Sequence, residues 1–110
     1  MEKFKLPEPF RTDWIKALQS GEYKQGRRYL YIERDDTYCC LGVAERICGN
    51  DIENIMNHSF SKEVPGSNVP DILKGSTLEG TLVRIVSQMN DGGTDFNKIA
   101  DWLEENTESE

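Results

Sequence analysis

The chain is short of the features that most often announce a function. No stretch of its 110 residues approaches the roughly 18 consecutive apolar residues of a membrane-spanning helix, so no membrane partner is expected. The opening stretch MEKFKLPEPF lacks the apolar segment of an export signal. Cysteine is scarce and odd in number, three residues in all, which excludes a closed disulfide framework. Together these absences point to a reducing, cytoplasmic setting. Histidine occurs once, as His58, and there is no Cys-x-x-Cys pair, so neither a metal nor a cofactor is expected. Zinc-protease and nucleophile-elbow signatures are missing as well. The segment GEYKQGRR (21–28) has the glycine spacing of a phosphate loop but puts Arg27-Arg28 where Lys-Ser/Thr is required, which rejects that reading.

Positive charge is also in deficit. The net charge is −7, with acidic groups concentrated in ERDD (33–36) and in the tail DWLEENTESE (101–110). Phosphate contact needs a positive face, so double-stranded DNA is not an expected partner. The phrase FNKIADWL invites comparison with a helix-turn-helix reader, but Asp101, Glu104 and Glu105 would then face phosphate. An acidic surface is instead compatible with solubility or with imitation of nucleic acid.

What is present reads as one domain of mixed elements. Thr12 is placed to cap a short helix with Trp14, Ala17 and Leu18 on one face and Gly21 at its stop. Tyr29 and Tyr31 alternate with Leu30 and Ile32 as in a half-buried strand, and RDDT leads to a returning strand at Thr37–Cys39. Cys40, Val43, Ala44, Ile47 and Cys48 then form the stripe of an amphipathic helix, with Glu45 and Arg46 facing elsewhere. Cys40 and Cys48 are two turns apart, roughly 12 Å, too far for a disulfide or a shared metal. They read as small core hydrophobes. Cys39 stays open, because a helix N-terminus lowers a thiol pKa. Gly42 predicts close approach of another element.

Residues 50–75 are punctuated by proline and glycine, with helical turns expected at Ile52–Met56 and Asp71–Leu73. A capping box at Ser76-Thr77-Leu78-Glu79 predicts a helix whose apolar stripe is Leu78, Leu82, Ile85, Val86 and Met89. NDGGT breaks it, and Thr94 caps a second helix with Phe96, Ile99, Ala100 and Leu103 on one face. The expected fold is therefore a small single-domain α+β structure spanning residues 1–110. It comprises a short β-hairpin, a central helix and a C-terminal αα-hairpin. Residues 1–11 read as an irregular arm, because Pro7 and Pro9 oppose a helix, and residues 107–110 as a disordered tail.

One cluster stands out. All four tyrosines, Tyr23, Tyr29, Tyr31 and Tyr38, fall within residues 23–38, beside Lys24, Gln25, Arg27, Arg28 and Arg34. Rings stack on bases and arginine forks onto phosphate. The same residues would also serve a hairpin packed by tyrosine and solubilised by arginine. Read for function, Lys24, Arg27 and Arg28 hold phosphate, Gln25 hydrogen-bonds, and Tyr23 and Tyr38 stack.

Three phrases, W-I-K-A-L-x-S-G-x-Y-K-Q-G (14–26), Y-C-C-L-G-V (38–43) and M-N-D-G-G-x-x-F-x-x-I-A-D-W-L-E (89–104), resemble in sequence and order a group of small phage and prophage proteins. The resemblance covers about half of the chain and omits residues 50–75. It implies a phage accessory protein that counters host defence, a context argued by analogy and not from the fold. The leading expectation is sequestration of a small anionic, nucleotide-derived ligand without chemistry. The alternative is an acidic inhibitor that binds a host defence protein, in the manner of a nucleic-acid mimic. Degradation of the ligand is a third reading, and it needs a general base that the sequence does not identify. A homo-oligomer is compatible with any of them.

Overall fold

The computed structural model describes residues 2–60, 63–74 and 78–110. The elements run β1 (Phe4–Leu6), α1 (Phe10–Gln19), β2 (Tyr31–Ile32), β3 (Thr37–Tyr38), α2 (Cys40–Ile47), α3 (Ile52–Ile55), a 3₁₀ turn (Asp71–Leu73), α4 (Leu82–Asp91), α5 (Phe96–Asn106) and β4 (Thr107–Ser109). This is a small α+β domain with a two-stranded hairpin, a central helix and a pair of C-terminal helices. Among the described residues no helix is long and apolar enough to cross a membrane.

Helix α1 begins before Thr12. The Glu8 carboxylate does the capping, accepting from the Thr12 N–H and hydroxyl, both at 2.9 Å. Phe10, Trp14, Ile15 and Leu18 form the buried face. The Trp14 indole N–H donates to the Cys40 carbonyl at 3.0 Å and ties α1 to the start of α2. The hairpin β2–β3 is antiparallel, with Tyr31 opposite Tyr38 and Ile32 opposite Thr37. Its first strand is shorter than the alternation predicts, because the Leu30 N–H is drawn away to the His58 carbonyl at 2.8 Å.

Helix α2 lies at the centre. A Cβ on Gly42 would sit 1.8 Å from the Leu30 carbonyl oxygen, so backbone meets backbone there and only glycine fits. Cys40, Val43 and Ala44 are buried as their stripe predicts, whereas Ile47 and Cys48 are half-buried. Glu45 departs from expectation: it faces inward, because Asn50 and Ser67 lie against it and supply hydrogen bonds. The short helical turns at Ile52–Ile55 and Asp71–Leu73 fall where the sequence places them.

The C-terminal helices pack against one another and against α1 and α2. For α4 the expected start needs correction. Ser76 and Thr77, the head of the capping box, lie outside the described residues, and Leu78 is 72% exposed. Thr81 is the cap, its hydroxyl accepting from the Arg84 N–H at 3.2 Å. The buried face is Leu82, Val83, Val86, Ser87 and Asn90, turned from the predicted stripe so that Ile85 and Met89 are half-buried. Helix α5 buries Phe96, Ile99, Ala100 and Leu103 as predicted, with Asp95 and not Thr94 as its cap, accepting from the Lys98 N–H at 2.9 Å.

The two chain ends also differ from expectation. The arm and the tail are paired: β1 and β4 form a parallel ladder with Phe4 opposite Thr107 and Leu6 opposite Ser109. Arg11 fastens it, its Nε donating to the Thr107 hydroxyl at 3.0 Å and its Nη2 to the Thr107 carbonyl at 3.1 Å. The prolines keep helix out of residues 4–9 and leave residues 4–6 free to extend, but α1 takes in Phe10 and Arg11 at the end of the expected arm.

Candidate functional site

The first part of the basic, tyrosine-rich segment, residues 23–30, lies in the loop between α1 and β2, and its backbone is pinned to the hairpin that carries Tyr31 and Tyr38. The Tyr38 N–H donates to the Lys24 carbonyl at 2.8 Å, and the Gly26 N–H donates to the Tyr38 carbonyl at 2.7 Å. A second anchor comes from the αα-hairpin. Gln25 donates through Nε2 to Asn90 Oδ1 at 3.0 Å and to the Thr94 carbonyl at 2.7 Å, while its Oε1 accepts from the Phe96 N–H at 3.0 Å. Both amide donors are engaged, and so is its oxygen.

Asn90 is the hub of this arrangement. It is fully buried; Oδ1 also accepts from the Cys40 N–H at 3.2 Å, and Nδ2 donates to the Gly26 carbonyl at 2.7 Å. One side chain thus joins the basic loop, the start of α2 and the end of α4. In the sequence NDGG reads only as a helix breaker, and its two polar residues are the ones that shape the site. The second, Asp91, accepts from the Arg28 N–H through Oδ1 at 2.8 Å.

That contact holds an unusual backbone. Arg28 has φ +73°, and the Tyr29 N–H donates back to the Arg27 carbonyl at 2.9 Å, closing a three-residue turn around it. A side chain in this left-handed region costs about 1–3 kcal/mol and is sustained only by surrounding structure. Arg27 and Arg28 therefore belong to a turn and not to the strand. The Arg27 guanidinium lies over the αα-hairpin turn, where Gly93 leaves room: a Cβ there would be 3.3 Å from Nη2. Lys24, Arg27 and Arg28 are exposed. Among the described residues the ion pairs are Arg34–Asp35 and Lys74–Asp71, so these three cations have no carboxylate partner.

The tyrosines are less alike than their clustering suggests. Tyr38 is buried between two rings, Tyr23 edge-on at 5.2 Å and Tyr31 tilted at 4.7 Å. Burial pushes its phenol up from the ordinary value. Tyr31 donates its hydroxyl to Asp36 at 2.8 Å, and that bond raises its pKa to about 12. Tyr29, beside Arg28, is the ring that reaches solvent, at 43% exposure. It borders a shallow cleft of about 560 Å³ with Ile32, Glu33, Arg34 and Asn57. Of the six predicted ligand contacts, then, Lys24, Arg27 and Arg28 share one exposed loop. Gln25 and Tyr38 sit beneath it holding it in place, and Tyr23 is half-buried against Tyr38.

The cysteines are set apart from this surface. Cys39 and Cys40 are buried, and loss of solvent pushes the Cys39 thiol up to about 11 and the Cys40 thiol well above its ordinary value. At Cys39 burial outweighs the helix N-terminus. Among the described residues no three His, Cys, Asp or Glu side chains gather as a metal site would require.

Residues 7–54 are similar to a family described as a domain of unknown function, DUF8296. That match runs from α1 to α3 and takes in the basic loop, the hairpin and the whole of α2. No curated protein and no solved structure matches the chain.

Proposed function

We propose that the protein captures a small anionic, nucleotide-derived ligand without converting it, as a phage accessory protein acting against host defence in the host-cell cytoplasm. The observation that carries this reading is Arg28. Glycine would satisfy φ +73° without cost, yet an arginine stands there with its guanidinium exposed and, among the described residues, without a carboxylate partner. Strain of this kind is retained where the side chain is needed. Arg27 and Lys24 add two further unpaired cations on the same loop, and Tyr29 adds an exposed ring for stacking. Gln25, Asn90 and Asp91 keep the loop in one shape, which lowers the ordering cost of binding. Titration with a panel of cyclic and linear nucleotides tests the reading, and recovery of the intact ligand after heat release separates capture from cleavage.

A second reading, an acidic inhibitor that binds a host defence protein, rests on two exposed surfaces. One is the turn Glu33–Asp36; the other is the outer face of α5 with Asp101, Glu104 and Glu105. Binding to a defence protein in the absence of any nucleotide response would favour it.

A further inference from the structure

Among the described residues Glu45 is the one Asp, Glu, Lys or Arg side chain that is buried, at 4% exposure. Among the described residues no cation pairs with it. Each carboxylate oxygen accepts a single hydrogen bond from the described residues: Oε1 from Asn50 Nδ2 at 2.9 Å, and Oε2 from the Ser67 hydroxyl at 2.8 Å. Asn50 is itself held, donating to the Pro65 carbonyl at 3.1 Å and accepting from Asn54 Nδ2 at 2.8 Å. The carboxylate is therefore fixed in position, and the described residues take up about half of its accepting capacity of roughly four hydrogen bonds.

Beside it opens a cavity of about 700 Å³ with an apolar side formed by Leu30, Leu41, Phe60 and Val69 and a polar side that holds Glu45, with exposed Glu63 and Lys74 at its border. The volume is that of a small-molecule site, and the lining joins an apolar side to a polar one on which Glu45 is fixed in place. A buried carboxylate is costly unless donors meet it, and away from bulk water each donor that does so counts for more.

We propose that this cavity binds a flat apolar group carrying two adjacent N–H donors, presented edge-on to the two oxygens of Glu45. One accepting position on each oxygen that no described residue takes up matches a paired donor edge, as in the fork of a guanidinium on a carboxylate. Amidinium and guanidinium compounds carry that edge, and so does the base of guanosine. Phe60 and the aliphatic walls cover the faces of the flat group. The site is separate from the basic loop, since Lys24, Arg27 and Arg28 do not line it.

The test is thermal unfolding of the full chain with benzamidine and with guanosine, against benzamide, benzoate and adenosine. None of these probes carries a phosphate, so the outcome is independent of the capture reading. Benzamidine or guanosine at ten times its Kd should raise Tm by about 5 °C, and the controls should not. Which of the two acts identifies the source of the donor edge. Glu45→Gln should abolish the shift. Val64→Trp, which fills the cavity from its half-buried wall without touching the carboxylate, should abolish it too and keeps the test valid if Glu45→Gln does not fold. No shift with either probe, an equal shift with benzoate, or a shift that survives Val64→Trp overturns the proposal.

Discussion

Gln25 and Asn90 are joined side chain to side chain, Nε2 to Oδ1 at 3.0 Å, across 65 positions of sequence. The bond fixes the basic loop to the end of α4, and it makes the polar interior of the protein a device for holding a surface loop. Asn90→Ala strands the Cys40 N–H and the Gly26 carbonyl as well as Gln25. It should cost about 2–4 kcal/mol in denaturant unfolding, and Gln25→Ala about 1–3 kcal/mol. The double variant should cost less than the sum, by about 0.5–3 kcal/mol. Strict additivity would mean that the two amides do not act as a unit.

The orientation of α4 gives a second prediction. Leu82 and Ile99 are buried, whereas Ile85 is half-buried. Leu82→Ala and Ile99→Ala should each cost about 2–5 kcal/mol, and Ile85→Ala clearly less. Equal losses at Leu82 and Ile85 would restore the stripe that the sequence alone suggests.

Alkaline pH should weaken the fold. The Cys39 thiol is pushed from 9.0 to about 11 by burial, so the folded state keeps a proton that the unfolded chain releases first. The stabilising contribution is complete below the unfolded value and is lost as pH rises through the folded one, over about pH 9 to 11. The share of Cys39 should be on the order of 2 kcal/mol, and Cys39→Ala should remove that share while the contribution of buried Cys40 remains. Thiol labelling at neutral pH checks the same burial. Cys39 and Cys40 should react only on unfolding, and half-buried Cys48 sooner. Rapid native labelling of Cys39 would show that the helix N-terminus governs it after all.

The parts of this architecture that were legible in the sequence are those set by local periodicity. The buried face of helix α5 could be read because Phe96, Ile99, Ala100 and Leu103 repeat at helical spacing, and Gly42 announced a close approach that the Leu30 carbonyl makes. The β1–β4 ladder was not legible: each strand has three residues, and Phe4 pairs with Thr107 from the far end of the chain. Glu45 was misplaced for a related reason, since a carboxylate at that spacing reads as a solvent-facing group and the Ser67 hydroxyl that buries it is 22 positions away. In the candidate site, composition found the cations. It could not separate Tyr29, which is exposed, from Tyr38, which is buried, nor reveal that Gln25 is committed to the αα-hairpin.

Arg28 offers a test in which stability and function move in opposite directions. Arg28→Gly removes a left-handed side chain and should stabilise the protein by about 1 kcal/mol. The same change should weaken ligand capture. A loss of stability would mean that the arginine is there for the fold.

The most direct test of the account is calorimetric titration of the full chain with cyclic and linear nucleotides, cyclic ADP-ribose isomers among them. The account predicts heat from at least one of them, affinity reduced roughly tenfold or more in Arg27→Ala, and ligand released intact on heating. Absence of heat from every nucleotide with protein shown to be folded, or binding unchanged in both Arg27→Ala and Arg28→Gly, would contradict it.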